Sequence, residues 1–96
     1  MDKIETEIKK GDDAEILLET QAFKDAVESL RQAILMKWSQ SPIMDKEGQH
    51  ELRLMLKLLD DLLGNLRIAV SNGKFACNEL KIKRTLATQA KRLLTN

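Results

Sequence analysis

Residues 52–63 form the sequence LRLMLKLLDDLL, which decides the fold class of this 96-residue chain. Apolar side chains recur there at the three- and four-residue spacing of an α-helix. The predicted seam, meaning the row that packs on a facing helix, comprises Leu52, Met55, Leu59, Leu62, Leu66 and Ala69. It is widened by Leu56, Leu63 and Val70, while Leu54 and Leu58 lie on another face. Because one neighbouring helix covers only part of this surface, we expect the protein to associate through the remainder.

The rest of the chain also predicts an all-α protein, since no segment shows the period-2 alternation of a strand. Residues 39–42, SQSP, form a turn between two long helical patterns. We therefore predict an antiparallel helical hairpin with a long leucine-rich second helix and a basic C-terminal helical segment. The predicted boundaries, within a single domain of residues 1–96, are an acidic N-terminal segment at 1–11, helix 1 at 12–40, helix 2 at 45–72 and a C-terminal helix at 74–95.

Capping residues mark the ends of these helices. Asp12, with Glu15 three residues later, fits a capping box and predicts the start of helix 1. Asp45 is the expected cap of helix 2. Gly73 is a natural C-terminal stop, but the apolar spacing continues beyond it. The alternative is one helix that runs from Asp45 into the C-terminal segment, with Gly73 as a small-residue contact or a hinge.

Helix 1 has two usable faces. Its predicted core stripe comprises Ile16, Phe23, Val27, Leu30, Ile34 and Trp38. A row of small residues beside it, Ala22, Ala26 and Ala33, would let another backbone approach closely. Trp38 has two interpretations, because tryptophan is frequent at interface hot spots but here also lies where it can cover the end of the hairpin core.

Because the connection between helix 1 and helix 2 is short, the sequence also predicts which residues of the two helices face each other. Folding the chain about residue 43 places Phe23 near Leu62 and Leu63, Val27 near Leu59, Leu30 near Met55 and Leu56, Ile34 near Leu52, and Ile16 near Val70. The same register places Gly11 opposite the region of Gly73.

Charge is distributed unevenly, although the net charge of the chain is only +1. Residues 1–20 carry seven acidic residues and three lysines, a net charge of −4, whereas residues 74–96 carry six basic residues and one acidic residue, a net charge of +5. Within the basic end, the candidate phosphate contacts are Lys81, Lys83, Arg84, Lys91 and Arg92. The alternative is that the two oppositely charged ends neutralise each other within the hairpin.

The sequence contains no motif that would support catalysis, a metal or a cofactor. His50 and Cys77 are the only residues of their types and are far apart in sequence, so they suit neither a zinc site nor a Cys/His nucleophile pair. Asp60 and Asp61 are adjacent and would point about 100° apart on a helix, so they cannot readily share a proton or a metal. We expect no enzymatic activity, no cofactor, no membrane span and a cytoplasmic protein.

Several short segments together resemble small helical-hairpin proteins that tailed bacteriophages encode near their packaging and virion genes. The segments are Phe23-(x)3-Val27-(x)2-Leu30-Arg31, Trp38-Ser39-Gln40-Ser41-Pro42, Asp45-Lys46-Glu47-Gly48, Leu56-Lys57-Leu58-Leu59 and Gly73-Lys74. The resemblance covers about residues 16–80 and excludes the basic tail. It implies a protein of the bacterial host cytoplasm or of the virion, with a role in the phage particle or its assembly.

The functional expectation is therefore a structural or assembly protein that forms a homo-oligomer or docks on a larger protein complex. Its predicted interface residues are Leu54, Leu58, Ala22, Ala26, Ala33 and Trp38. The alternative is a small regulator that binds nucleic acid or a host enzyme through the basic C-terminal segment.

Overall fold

Three α-helices account for nearly all of residues 2–95, the part of the chain that the computed structural model describes. They are α1 (Lys3–Glu19), α2 (Gln21–Gln40) and α3 (Lys46–Thr95). Residues 2–95 contain no strand. Met1 and Asn96, the ends of the predicted single domain, lie outside the described residues. The all-α hairpin with a long leucine-rich second arm is confirmed, and the molecule is a rod measuring 79 × 25 × 19 Å.

The first helix begins nine residues earlier than the sequence analysis predicts, because α1 starts at Lys3 and Asp12 lies inside it. Asp2 is the actual cap, since its Oδ1 accepts a hydrogen bond from the Glu5 backbone N–H at 2.8 Å. The pair Asp2 and Glu5 has the same three-residue spacing as Asp12 and Glu15, so spacing alone does not distinguish them. The segment 3–11 is helical because it packs on α3, as the burial of Gly11 shows.

The predicted single helix at 12–40 is interrupted at Thr20. Thr20 adopts φ −66° and ψ 127°, outside the helical region, so it ends α1 and precedes α2. Its backbone N–H donates to the carbonyls of Ile16 and Leu17, and its hydroxyl donates to the Ile16 carbonyl at 2.8 Å. A threonine hydroxyl competes in this way with the helix backbone. The break lets α1 and α2 take different orientations on α3.

The chain turns between α2 and α3, as the sequence predicts, and side chains close this turn. The Ser41 hydroxyl donates to the Trp38 carbonyl at 2.6 Å, and the Gln49 side-chain amide donates to the Pro42 carbonyl at 3.0 Å. Asp45 Oδ1 accepts a hydrogen bond from the Gly48 backbone N–H at 3.0 Å, which confirms Asp45 as the cap of the second arm.

The second arm is one helix of 50 residues that runs through Gly73 without interruption. The boundary predicted between 72 and 74 is therefore wrong, and the alternative of a continuous helix is right. Gly73 has no positive φ, so it does not form a helix stop. It is buried against α1, and this packing offsets the roughly 1 kcal/mol that a glycine costs inside a helix.

Helices α1 and α2 lie end to end along α3 and run antiparallel to it. A Cβ atom built on Gly11 would lie 2.8 Å from the Gly73 Cα, so the backbones of α1 and α3 nearly touch at this level. Farther along, Arg31 Nη2 of α2 lies 2.9 Å from Asp60 Oδ1 of α3. The predicted opposition of Gly11 and Gly73 is confirmed.

The rotation of α3 differs from the predicted seam. The predicted seam includes Met55 and Leu62, but each of these side chains is 52% exposed. The residues that face α1 and α2 are all buried or half-buried, and they combine three predicted seam residues with the three predicted to widen the seam and with Gly73: Leu52, Leu56, Leu59, Leu63, Leu66, Val70 and Gly73. They keep a strict 4-3-4-3-4-3 spacing, as in a coiled coil. The predicted and observed seams share Leu52, Leu59 and Leu66, so the spacing alone fits both.

Ile16 does not belong to the core stripe, because it is 65% exposed. Ala14, 5% exposed, and the half-buried Leu18 face α3 in its place. The break at Thr20 explains the difference, since it removes α1 from the helical periodicity that continues through α2. Leu30, also assigned to the stripe, is 51% exposed at its edge, whereas Ile34 is only 6% exposed.

The C-terminal end of α3 projects beyond the rest of the molecule. Because Gly11 opposes Gly73 and the helices are antiparallel, the first residue of α1, Lys3, lies level with residue 81 of α3. Every residue from 81 to 94 is exposed. We call residues 82–95 the overhang, which is about 20 Å long at 1.5 Å per residue. The basic C-terminal segment of the sequence analysis therefore includes a packed part before residue 81 and this projecting part.

Candidate interaction surfaces

An apolar surface covers one side of the hairpin near its turn. Leu30 of α2 and Met55, Leu58 and Leu62 of α3 are 51%, 52%, 68% and 52% exposed, and we call these four residues the leucine surface. Together with the buried Ile34 and Leu59 they line a shallow groove of about 310 Å³. No charged residue contributes to the lining. A contiguous apolar patch of this kind is typical of a site that another protein covers.

Two of the predicted interface groups extend this surface. Leu54 is 47% exposed on α3 and lies four residues before Leu58, so the two side chains are neighbours on the helix. The alanine row of α2, consisting of Ala22, Ala26 and Ala33, is exposed. Ala26 and Ala33 are four residues before and three residues after Leu30, which places them on its side of the helix. The small side chains leave room for a second helix to approach.

Trp38 lies at the turn end of the hairpin and is 41% exposed. On one side it lines an apolar groove with Ile34, Leu52 and Leu56. On the other side it lies beside Lys46, Gln49 and His50 at the start of α3. Part of the indole therefore covers the end of the hairpin core, and part of it faces solvent.

Basic residues are concentrated on the overhang and the turn before it. Lys81, Lys83, Arg84, Lys91 and Arg92 are all exposed, so four of the five candidate phosphate contacts lie on the overhang and Lys81 lies just before it. Lys83 Nζ lies 3.6 Å from Glu79 of the same helix. Just before this region, Lys74 Nζ of α3 lies 3.8 Å from Glu15 of α1. The acidic first helix thus runs beside the basic half of α3, as the sequence predicts.

A second groove lies where α1 begins against α3, and the sequence analysis did not anticipate it. It has a volume of about 510 Å³ and is lined by Asp2, Lys3, Ile4, Glu7, Phe75, Glu79 and Lys83. Phe75 is 72% exposed on its edge. Three carboxylates and two lysines give this groove a net charge of −1. A sequence signal for this groove exists, because Phe75 begins a row of apolar residues that recur at helical spacing through Ile82, Leu86 and Leu93.

Within residues 2–95, no three His, Cys, Asp or Glu side chains are grouped so that they could hold a metal ion. Asp60 is instead engaged with Arg31 at 2.9 Å, and Asp61 with Lys57 at 3.2 Å. None of the helices in this range is both long enough and apolar enough to cross a membrane.

In comparisons with protein families, with curated proteins and with solved structures, nothing matches this chain. The surfaces described above are therefore the basis for assigning a function.

Proposed function

We propose that this protein is a non-enzymatic structural or assembly protein that self-associates or docks on a larger complex through the leucine surface. The observation that carries the proposal is the exposure of Leu30, Met55, Leu58 and Leu62 on one uncharged groove. Each exposed leucine or methionine side chain gains about 1.5–3 kcal/mol when it is fully buried. The four side chains are already about half covered, so burying the remainder gains roughly half of this amount for each and contributes to offsetting the entropy lost when two molecules combine.

The shape of the molecule supports an assembly role. Two stacked layers of helix have a thin core, and in residues 2–95 only five hydrophobic residues are buried: Ala14, Ile34, Leu59, Leu63 and Ala76. A domain of this size buries only about two-thirds of its unfolded surface, so a partner that adds apolar contacts also stabilises the fold. Association and stability are then linked, which means that unfolding should depend on protein concentration.

The setting we propose is a phage virion or its packaging machinery, in the cytoplasm of a bacterial host. The support is the resemblance of residues 16–80 to helical-hairpin proteins of tailed bacteriophages. Mass spectrometry of purified virions encoded by the same genome tests this setting. Detection of the chain at many copies per particle is expected, and its absence from both virions and assembly intermediates would contradict the phage assignment.

The leucine surface is tested by sedimentation velocity of the wild type and of Leu58→Glu. We expect the wild type to form a larger species as concentration rises. Leu58→Glu should remain the smaller species over the same range, because it places a charge at the most exposed of the four residues of the leucine surface. Ile68→Glu is the matched control, since Ile68 is 58% exposed on the same helix but does not line the groove. Equal sedimentation of all three proteins would reject the leucine surface as a docking site.

A second candidate function is a small regulator that binds nucleic acid or a host enzyme through the overhang. The observation that favours it is the exposure of four basic residues on the overhang, Lys83, Arg84, Lys91 and Arg92, and of Lys81 just before it. If the overhang binds phosphates, its affinity for a DNA or RNA fragment should fall steeply with added salt, because each neutralised phosphate releases a counterion. A gel-shift titration at several salt concentrations measures this slope, and salt-insensitive or absent binding rejects nucleic acid as the partner.

A further inference from the structure

A row of largely exposed side chains runs from the second groove to the tip of the overhang. Phe75, Ile82, Leu86 and Leu93 are 72%, 60%, 59% and 81% exposed. With Glu79 and Gln89 they follow an unbroken 4-3-4-3-4 spacing along α3. This spacing keeps all six side chains on one side of the helix, as in the contact positions of a coiled coil. We call these six residues the C-terminal row.

The C-terminal row is symmetric about position 84. When the helix is turned end over end, Phe75 falls opposite Leu93, and Ile82 falls opposite Leu86. The two polar members, Glu79 and Gln89, fall opposite each other in the same register. Two copies of this helix placed antiparallel therefore form six contact layers, of which four are apolar and two pair a carboxylate with an amide. The amide N–H can donate to the carboxylate, so the polar layers need not be left unsatisfied.

Charge complementarity favours the same arrangement. In this register the overhang of one copy extends along residues 75–82 of the other copy, at the level where α1 begins. The groove there contains the carboxylates of Asp2, Glu7 and Glu79 and the ammonium groups of Lys3 and Lys83, a net charge of −1. The incoming overhang is basic, because Lys83 and Arg84 precede Lys91 and Arg92 and no acidic residue follows Glu79 in the chain. The groove, with its net negative charge, and the basic overhang attract each other across the interface, and attraction of this kind mainly sets orientation and register.

We propose that two copies of the chain dimerise through their C-terminal rows, with the overhang of each copy seated against the acidic groove of the other. This inference rests on the proposed function in one respect, since it names a second copy of the chain as one partner of an assembly protein. It adds a separate contact surface, because the C-terminal row and the leucine surface lie at opposite ends of α3. The interface is isologous, so every contact occurs twice about the two-fold axis.

Sedimentation equilibrium of the full chain tests which surface holds the dimer. Leu86→Glu should raise the dimer dissociation constant by about 100-fold or more, because the substitution introduces two charges into apolar layers of one symmetric interface. The matched control is Ile68→Glu, since Ile68 lies seven residues before Phe75 and would face a position beyond the end of the partner helix. Circular dichroism at low concentration should show that both variants remain helical.

Distance measurements between spin labels test the register. In a Cys77→Ser background, a label introduced by Arg84→Cys lies beside the two-fold axis, so the label pair should be about 20–30 Å apart, given helix axes separated by about 10 Å. A label introduced by His50→Cys lies far from the axis, and its pair should be roughly 100 Å apart at 1.5 Å per residue, beyond the measurable range.

The outcomes separate this inference from the proposed function. Loss of the dimer in Leu86→Glu with a short distance at position 84 supports the inference, whatever Leu58→Glu does. Loss of the dimer in Leu58→Glu alone, or a short distance at position 50, overturns the inference and supports the leucine surface. A wild type that stays monomeric at all concentrations overturns both self-association proposals. A monomer whose overhang binds nucleic acid in a salt-dependent manner overturns the inference and favours the regulator.

Discussion

The two halves of the hairpin pack on α3 in different ways. At the α1 end, small residues bring the backbones into contact: Gly11 and Gly73 oppose each other, while Ala14 and Ala76 are 5% and 0% exposed. At the α2 end, larger side chains keep the helices apart, and Ile34 is the only buried residue of α2. The comparison shows that leucines do not guarantee the tighter contact, because their bulk leaves one side of each helix uncovered. The small residues allow the helix backbones to pack closely, whereas the large residues leave apolar surface exposed to solvent.

Gly73→Leu should lower the free energy of unfolding most, because it places a large side chain in the close contact between Gly11 and Gly73. A Cβ at this position would lie 2.8 Å from the Gly11 Cα and 3.1 Å from the Glu7 carbonyl oxygen. Both atoms belong to the backbone and cannot rotate away, so α1 must move off α3. We expect a loss of more than about 3 kcal/mol in the free energy of unfolding, measured by urea denaturation. Hydrogen exchange of residues 3–19 should accelerate most, and unchanged protection of α1 would show that the crossing is not essential.

Leu59→Ala should rank second, because Leu59 is 6% exposed in the middle of the looser half. Truncating a buried leucine costs about 2–5 kcal/mol, with the larger values where a closed cavity remains. Leu59 also lines the open groove beside Leu58, so solvent can reach the space that is left. We therefore expect about 2 kcal/mol, measured by thermal and urea unfolding. A cost near 5 kcal/mol would mean that the α2 half is as tightly closed as the α1 half.

Gly64→Ala should have a smaller effect of the opposite sign. A Cβ built on Gly64 meets nothing within 4 Å, unlike one built on Gly73 in the same helix. Alanine is better than glycine inside a helix by about 0.8–1 kcal/mol, so the free energy of unfolding should rise by nearly that amount. Urea denaturation of Gly64→Ala beside Gly73→Ala makes a matched pair. If Gly73→Ala were stabilising to the same degree, the contrast between the two glycines would be wrong.

Leu58→Ala should change monomer stability least, by less than about 0.5 kcal/mol, because Leu58 is 68% exposed. Its effect should instead appear as weaker association, provided that the leucine surface docks on another copy. The measurement is the melting temperature of Leu58→Ala and of Leu59→Ala at several protein concentrations. Equal loss of melting temperature in both variants at every concentration would mean that Leu58 is buried inside one compact bundle.

Much of the fold could be predicted from local sequence signals. The chain reversal after Gln40, the cap at Asp45 and the opposition of Gly11 to Gly73 follow from residue types and from counting along an antiparallel hairpin. The exposed Leu58 and Leu54 were also placed on a face away from the partner helix, and their exposures of 68% and 47% agree with that placement. These features depend only on the positions of residues along the chain, which can be read from the sequence.

Other features could not be predicted because two local patterns competed equally. The motif Asp12 to Glu15 and the motif Asp2 to Glu5 both fit a helix start, and the packing of residues 3–11 on α3 favoured the second. Likewise the break at Thr20 has no proline or glycine to signal it. A threonine hydroxyl that bonds to the Ile16 carbonyl is compatible with either a helix or its end.

The sequence by itself determined that the chain is helical, that it folds back at Pro42, and that its ends carry opposite charge. Only the tertiary structure decided how each helix is rotated about its axis. A three- and four-residue spacing leaves two overlapping choices of seam, and Met55 or Leu56 can serve in it equally well on periodicity alone. Packing against α1 and α2 selects Leu56, because the close crossing at Gly11 and Gly73 permits only one rotation of α3. That rotation is the reason Met55, Leu58 and Leu62 remain exposed for a partner.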